Sequence, residues 1–188
     1  GVISGTLASD SAGTYTVNLS VSDGQASANA SFSWRVTSPD TGASITLERR
    51  ISSGNDDVEE NGAGRVYRHS SDLEMISDAG LGYFNQVIGL RFVNITVPTG
   101  ATVEQAYLEF TSDEVSTTPT SLSIQAEASD NAPAFSTDQN DVRRRSRTSA
   151  SVTWSDIPPW NQEGETHQSP DISSVVQAVV NRSAWRSE

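Results

Sequence analysis

The chain has 188 residues, 24 of them acidic and 12 basic, for a formal net charge of -12, with no Cys and one Met. The missing Cys excludes a disulfide scaffold, a Cys-based zinc finger and a thiol enzyme. Short apolar runs exclude a membrane-spanning helix, and the negative charge lacks the field that holds nucleic acid non-specifically. Two His and the absence of a nucleophile motif argue against catalysis. Every basic residue is Arg, and Ser and Thr make up about a quarter of the chain, well above average usage. That acidic, hydroxyl-rich, Lys-free composition points to an extracellular or cell-surface setting, where high charge keeps a protein soluble. No signal peptide is visible, so the chain reads as a piece of a longer precursor.

In chain order, residues 2–6 read as a short strand. Residues 14–21 alternate, with Tyr15, Val17, Leu19 and Val21 on one face. Ser22-Asp23-Gly24-Gln25 carries the Asp-Gly turn signal, and Ala28, Ala30, Phe32, Trp34 and Val36 alternate again, which predicts a hairpin. Ser38-Pro39-Asp40-Thr41-Gly42 is turn chemistry and reads as a joint. The expected division is a partial domain over 1–38, a linker over 39–44 and a second domain over 45–188. Within the second, 45–48 opens as a strand. Residues 86–97 read as the strongest strand, with Ile88, Leu90 and Phe92 on one face and Gly89, Arg91 and Val93 on the other. After a turn at 98–101, Ala106, Leu108 and Phe110 form an apolar face, and Leu122, Ile124 and Ala126 another. Residues 151–154 read as a short strand with Trp154 in the core. One helix is predicted, with Ser169 as N-cap, Pro170 at the first position, Asp171 in the first turn, and Ile172, Val175, Val176 and Val179 at helical spacing. The fold class is all-β: a partial sandwich, then a β-sandwich or jelly roll with one short helix.

Two resemblances sharpen this. Gly1-Val2-Ile3-Ser4-Gly5-Thr6, Ala12-Gly13-Thr14-Tyr15-Thr16-Val17 and Val21-Ser22-Asp23-Gly24 resemble the second half of a bacterial immunoglobulin-like repeat. The likeness covers residues 1–37, and it implies strands upstream of Gly1. The second region is similar to bacterial extracellular jelly-roll modules of the DNRLRE type and to alginate-binding modules. It rests on Ser53-Gly54-Asn55-Asp56-Asp57-Val58-Glu59-Glu60, Ser70-Ser71-Asp72-Leu73-Glu74 and Val87-Ile88-Gly89-Leu90-Arg91-Phe92. Pro98-Thr99-Gly100-Ala101, Ala106-Tyr107-Leu108-Glu109-Phe110, Ser129-Asp130-Asn131-Ala132 and Ser169-Pro170-Asp171-Ile172 continue it. It implies a non-catalytic jelly roll over roughly 50–185. It also implies final strands beyond Trp185, so this module is expected to lack its last strands.

Acidic loops are the first candidate site. Asp56, Asp57, Glu59, Glu114 and Asp130 are the expected ligands of a structural Ca²⁺, a hard cation that takes oxygen donors in loop geometry. The spacing is not that of an EF-hand. Acidic loops on an acidic surface need no metal, so both readings stand. The second candidate is the polar face of the central strands: Arg91, Tyr107, Glu109, Gln125 and Glu127. Arg, Gln and carboxylates there can hydrogen-bond sugar hydroxyls, Tyr107 can stack on a pyranose, and Arg91 can fork onto a uronate. The alternative is an ordinary solvated face with cross-strand Arg–Glu pairs.

Arg143-Arg144-Arg145-Ser146-Arg147 is the one basic block. It suits an anionic polysaccharide, but counter-charge to the acidic loops is the favoured reading. Trp160, after Pro158 and Pro159, is the best exposed stacking candidate or else a loop anchor. Trp185 is expected to pack behind the helix, and His69 and His167 are read as surface residues. The combined expectation is a non-catalytic, calcium-stabilised, extracellular polysaccharide-binding module. The alternative is a structural stalk, adhesin or fibre subunit that assembles through strand or end-to-end contacts. A part in a polysaccharide-degrading enzyme ranks below both.

Overall fold

The computed structural model describes residues 13–22, 24–36, 44–78, 82 and 84–186. The strand expected at 2–6 and the joint at 38–42 lie outside the described residues. The chain divides into two compact units, Gly1–Thr46 and Leu47–Glu188. It is essentially all-β, with one short helix among the described residues.

The first unit contains β1 (Gly13–Ser22) and β2 (Ser27–Val36), paired antiparallel over ten residues each. Alternation sorts the hairpin cleanly. Tyr15 faces Trp34 across the ladder, Val17 faces Phe32, Leu19 faces Ala30 and Val21 faces Ala28. Gly24 in the turn has φ 89, a left-handed conformation that glycine adopts without steric cost.

The second unit contains β3 (Asp57–Glu60), β4 (Val66–Tyr67), β5 (Val87–Leu90), β6 (Glu109–Thr111), β7 (Thr120–Glu127), β8 (Arg147–Ile157), β9 (Thr166–Gln168) and α1 (Ser173–Val180). The strands pair as a three-stranded sheet in the order β4-β3-β5 and two two-stranded sheets, β6-β9 and β7-β8. Residues 45–48, expected to open the second domain as a strand, make no strand pairing.

The strand expected over 86–97 ends at Leu90. Beyond it Arg91 N–H donates to Asp56 O at 2.7 Å, and Asn94 turns into the left-handed region at φ 57. Gly89 pairs with Val58 and is the buried member of β5, while its neighbours Ile88 and Leu90 are half-buried. A β carbon on Gly89 would stand 2.6 Å from Phe135 Cζ and 2.9 Å from Val58 Cγ2. The absent side chain makes room for an aromatic ring from a distant loop, which the local alternation does not reveal. Val58, Val66, Phe135 and Val142 form the core cluster here, with Val87 against it.

Around the other strands, alternation is a better guide. Ala106, Leu108 and Phe110 are half-buried, while Tyr107 and Glu109 are exposed. Trp154 is buried, sits opposite Leu122 and stacks on Phe110 with ring centroids 6.1 Å apart. The short strand expected at 151–154 runs instead for eleven residues, with two irregularities in its pairing to β7.

The helix starts later than expected. Ser169 is not its cap: Ser169 N–H donates to Leu108 O at 2.8 Å, and its hydroxyl accepts Leu108 N–H at 3.0 Å. Ser169 thereby prolongs the β6-β9 pairing. Asp171 Oδ1 instead accepts Ser173 N–H at 2.8 Å and Ala106 N–H at 3.1 Å. These backbone donors, Ala106 first, hold its carboxyl below the usual range. Ile172, Val175 and Val180 are buried, and α1 packs on β7 and β8. Trp185 follows the helix and is anchored by Nε1 donating to Val97 O at 3.0 Å.

Candidate functional site

Alternation along β3 places two adjacent carboxylates in opposite environments. Glu60 lies in the core with 0% exposure. Its Oε2 accepts Val142 N–H at 2.7 Å and Arg143 N–H at 3.0 Å, and its Oε1 stands 2.8 Å from Arg143 Nε. Glu59 is also buried, but it looks to the other side, into a cleft of 320 Å³.

That cleft is lined by Glu59, Tyr67, Arg68, His69, Ser70, Asp72, Glu74 and Asp78. Tyr67 stands opposite Glu59 across the β3-β4 ladder. Glu74 N–H donates to Glu59 Oε1 at 2.7 Å, which ties the 70s loop to the strand. The loop is further pinned by Gln86, whose side-chain amide donates to Glu74 O at 3.1 Å and whose N–H donates to Ile76 O at 2.8 Å. Arg68 Nη1 donates to Asn55 Oδ1 at 2.9 Å and Phe135 O at 3.0 Å. Asp72 accepts the Ser71 hydroxyl at 3.1 Å and the Ser70 hydroxyl at 3.3 Å. His69, which lines the cleft, and Ile76, farther along the 70s loop, have unusual backbones. His69 has φ 64, and the β-branched Ile76 has φ 117, which costs strain the surrounding hydrogen bonds must hold.

Burial, together with the neighbouring carboxyls of Glu74 and Asp72, pushes the Glu59 carboxyl up to about 8. Glu74 also shares a side-chain hydrogen bond with it that favours the protonated form, while the Glu74 N–H works the other way. In its protonated form Glu59 is a hydrogen-bond donor as well as an acceptor. The cleft offers hydroxyls, carboxyls, an imidazole, the Arg68 guanidinium and one phenol ring, that of Tyr67, over which Arg65 Cζ lies 4.8 Å from the centroid.

The five carboxylates expected to hold a metal are spread over separate partners. Asp56 pairs with Arg91, Asp130 pairs with Arg182 Nε at 2.7 Å, and Asp57 lies in β3 opposite Leu90. Glu59 belongs to the cleft, and Glu114 is exposed after β6. Among the described residues, no three His, Asp or Glu side chains are placed to hold a metal ion.

The expected sugar-facing residues are also dispersed. Arg91 is half-buried, pairs with Asp56 and donates from Nε to Ala132 O at 2.7 Å. Glu127 receives Arg145 Nη1 at 2.9 Å. Gln125 is exposed on β7 opposite Ser151. Tyr107 is exposed, and the exposed Glu109 accepts Gln168 Nε2 at 3.4 Å.

Trp160 is an anchor rather than an open platform. Its backbone bridges Ser116, and its ring stacks on His167 at 4.2 Å with planes 3° apart. His167, read as a surface residue, is largely covered there, with Nε2 3.6 Å from Glu165 Oε2.

Two of the four Arg residues in the block, Arg143 and Arg145, act as internal counter-charge. Arg143 serves Glu60, and it also donates to Asn85 O. Arg145 bridges Glu127 and Asp141 at 2.9 Å each and lies 4.4 Å over the Phe135 ring. Burial opposes ionisation of Asp141, yet Ser136 N–H and Arg145 outweigh it and hold the carboxyl below its usual range.

The acidic run Asp72, Glu74 and Asp78 is visible in the sequence, but its meeting with Tyr67 and Glu59 is not, because β3-β4 pairing creates it. No family model matches the chain, and neither a curated protein nor a solved structure matches it.

Proposed function

We propose that the Leu47–Glu188 unit is a non-catalytic, extracellular polysaccharide-binding module of the jelly-roll type. The supporting observation is the cleft between β3-β4 and the 70s loop, lined by hydroxyl, carboxyl, imidazole and guanidinium groups around Tyr67. Such a lining suits a polyhydroxylated ligand: carboxylates accept its hydroxyls and a phenol ring covers an apolar sugar face. Its acidity favours a neutral or amino-sugar polymer over a uronate, because Asp72, Glu74 and Asp78 repel a second carboxylate. Arg91, the residue suited to a uronate, is engaged with Asp56.

Affinity electrophoresis of the chain in neutral, amino-sugar and uronic polysaccharides tests this reading. Retardation in a neutral or amino-sugar gel, lost in Tyr67→Ala and Asp72→Asn but kept in Tyr107→Ala, is the expected result. No retardation in any gel, or release of reducing ends from the polymer, overturns it. Calcium belongs to the proposal as a loop stabiliser, supported by the acidic composition alone. Added Ca²⁺ then raises the melting temperature and chelator reverses the rise; no shift removes the ion from the account.

A further inference from the structure

The β1-β2 hairpin displays its apolar face to solvent. Tyr15 is 46% exposed, Leu19 48%, Val21 72%, Phe32 43% and Trp34 42%. The opposite face carries Thr14, Thr16, Asn18 and Ser20 against Arg35, Ser33, Ser31 and Asn29. The sidedness is that of a sheet with one buried face. Among the described residues this sheet has two strands, and a two-stranded hairpin is at best marginal in water without a cover for that face.

We propose that the cover is a second copy of the same hairpin, the two packing face to face as a four-stranded sandwich. Size supports this. With aromatic side chains offering about 150–250 Å² each and Leu and Val less, the five exposures leave roughly 450 Å² of largely apolar surface per copy in water. Two copies then bury up to about 900 Å² from these residues, close to the lower limit for a specific interface, before the flanking Val17, Ala28 and Ala30 are counted.

Shape supports it as well. The face is graded from bulky to small. Its open end carries the pairs Tyr15–Trp34 and Val17–Phe32, and its turn end carries Leu19–Ala30 and Val21–Ala28. A two-fold axis between the sheets, perpendicular to the strands, lays the open end of one copy over the turn end of the other. Trp34 then meets Ala28, Phe32 meets Ala30, Tyr15 meets Val21 and Val17 meets Leu19. Each contact sets a larger side chain against a smaller one, which keeps the sheet separation even at about 10 Å. The contact is isologous and closes at two copies.

The test is the mass of the full 188-residue chain by sedimentation equilibrium across a concentration series. The expected mass rises from one chain to two. Leu19→Glu weakens the dimer by at least about tenfold, whereas Thr16→Glu, on the polar face, leaves it unchanged. A single concentration-independent monomer, or a Leu19→Glu dimer as tight as the parent, overturns the proposal. A second measurement does not depend on the charged variant. The chain has no Cys, so Ala30→Cys supplies one attachment point for a short bis-maleimide. Covalent dimer from Ala30→Cys but not from Ser31→Cys supports the packing; equal yields from both overturn it.

Discussion

Glu60, fully buried, faces Arg143 across the core with 2.8 Å between carboxylate oxygen and Nε. The same carboxylate receives two backbone N–H groups from the 142–143 turn, 82 and 83 residues along the chain. An anion removed from water in this way is tolerated only because donors surround it. The pair thus fastens the 138–145 segment to β3 beside Val58 and Val142.

Replacing one partner of such a pair strands the other. Glu60→Gln keeps the shape, removes the charge and leaves Arg143 with carbonyl partners only. We expect a loss of about 3 kcal/mol, read as a lower urea midpoint at unchanged slope. An unchanged midpoint would mean that solvent compensates Arg143.

Glu59 governs a distinct pH dependence. Its carboxyl titrates at about 8 in the fold, against an ordinary value of 4.5. The folded state therefore holds the extra proton. The associated stability is complete below the ordinary value and is lost as pH rises through about 8. Glu59→Gln mimics the protonated form, so its melting temperature should exceed the parent's by roughly 5 °C at pH 8–9 and match it near pH 4.5. Parallel melting curves at all pH values would show that folding leaves the titration of this carboxyl unshifted.

Gly89→Ala adds one methyl group where no space exists, 2.6 Å from the Phe135 ring. Overpacking of this kind costs about 1–3 kcal/mol. Phe135→Leu is itself destabilising, but it removes the obstructing ring. The double variant should therefore be more stable than the sum of the single losses predicts, by chemical denaturation in a double-mutant cycle. Strict additivity would place the strain elsewhere.

Arg91→Ala separates the two readings of that residue. Its guanidinium joins Asp56 to the Ala132 carbonyl, so the expected effect is a stability loss of about 1–2 kcal/mol with polysaccharide retardation unchanged. Lost retardation in a variant of unaltered melting temperature would return Arg91 to the ligand.

The strand class of the chain is legible from local order alone. Period-two alternation predicts the hairpin faces around Tyr15 and Trp34 and the inward side of Leu108 and Phe110, because side chains of a strand must point to opposite sides. The helix is legible in its apolar spacing but not in its start. Ser169 can cap or pair equally well, and a partner strand at Leu108 selects pairing.

What sequence order leaves open is which carboxylates and cations are structural. Asp56, Glu59, Glu60 and Asp130 look alike along the chain. Arg91 and Arg182 claim two of them, the 142–143 turn claims Glu60, and the fold of β3 against β4 turns Glu59 into the cleft. The net charge of -12 therefore divides by tertiary contact: part is neutralised inside, and part lines the cleft that the proposed function uses. The physical reason is range. Strand periodicity is set by neighbours two residues away, whereas the state of a carboxylate is set by donors and charges that only the folded chain brings within a few ångströms.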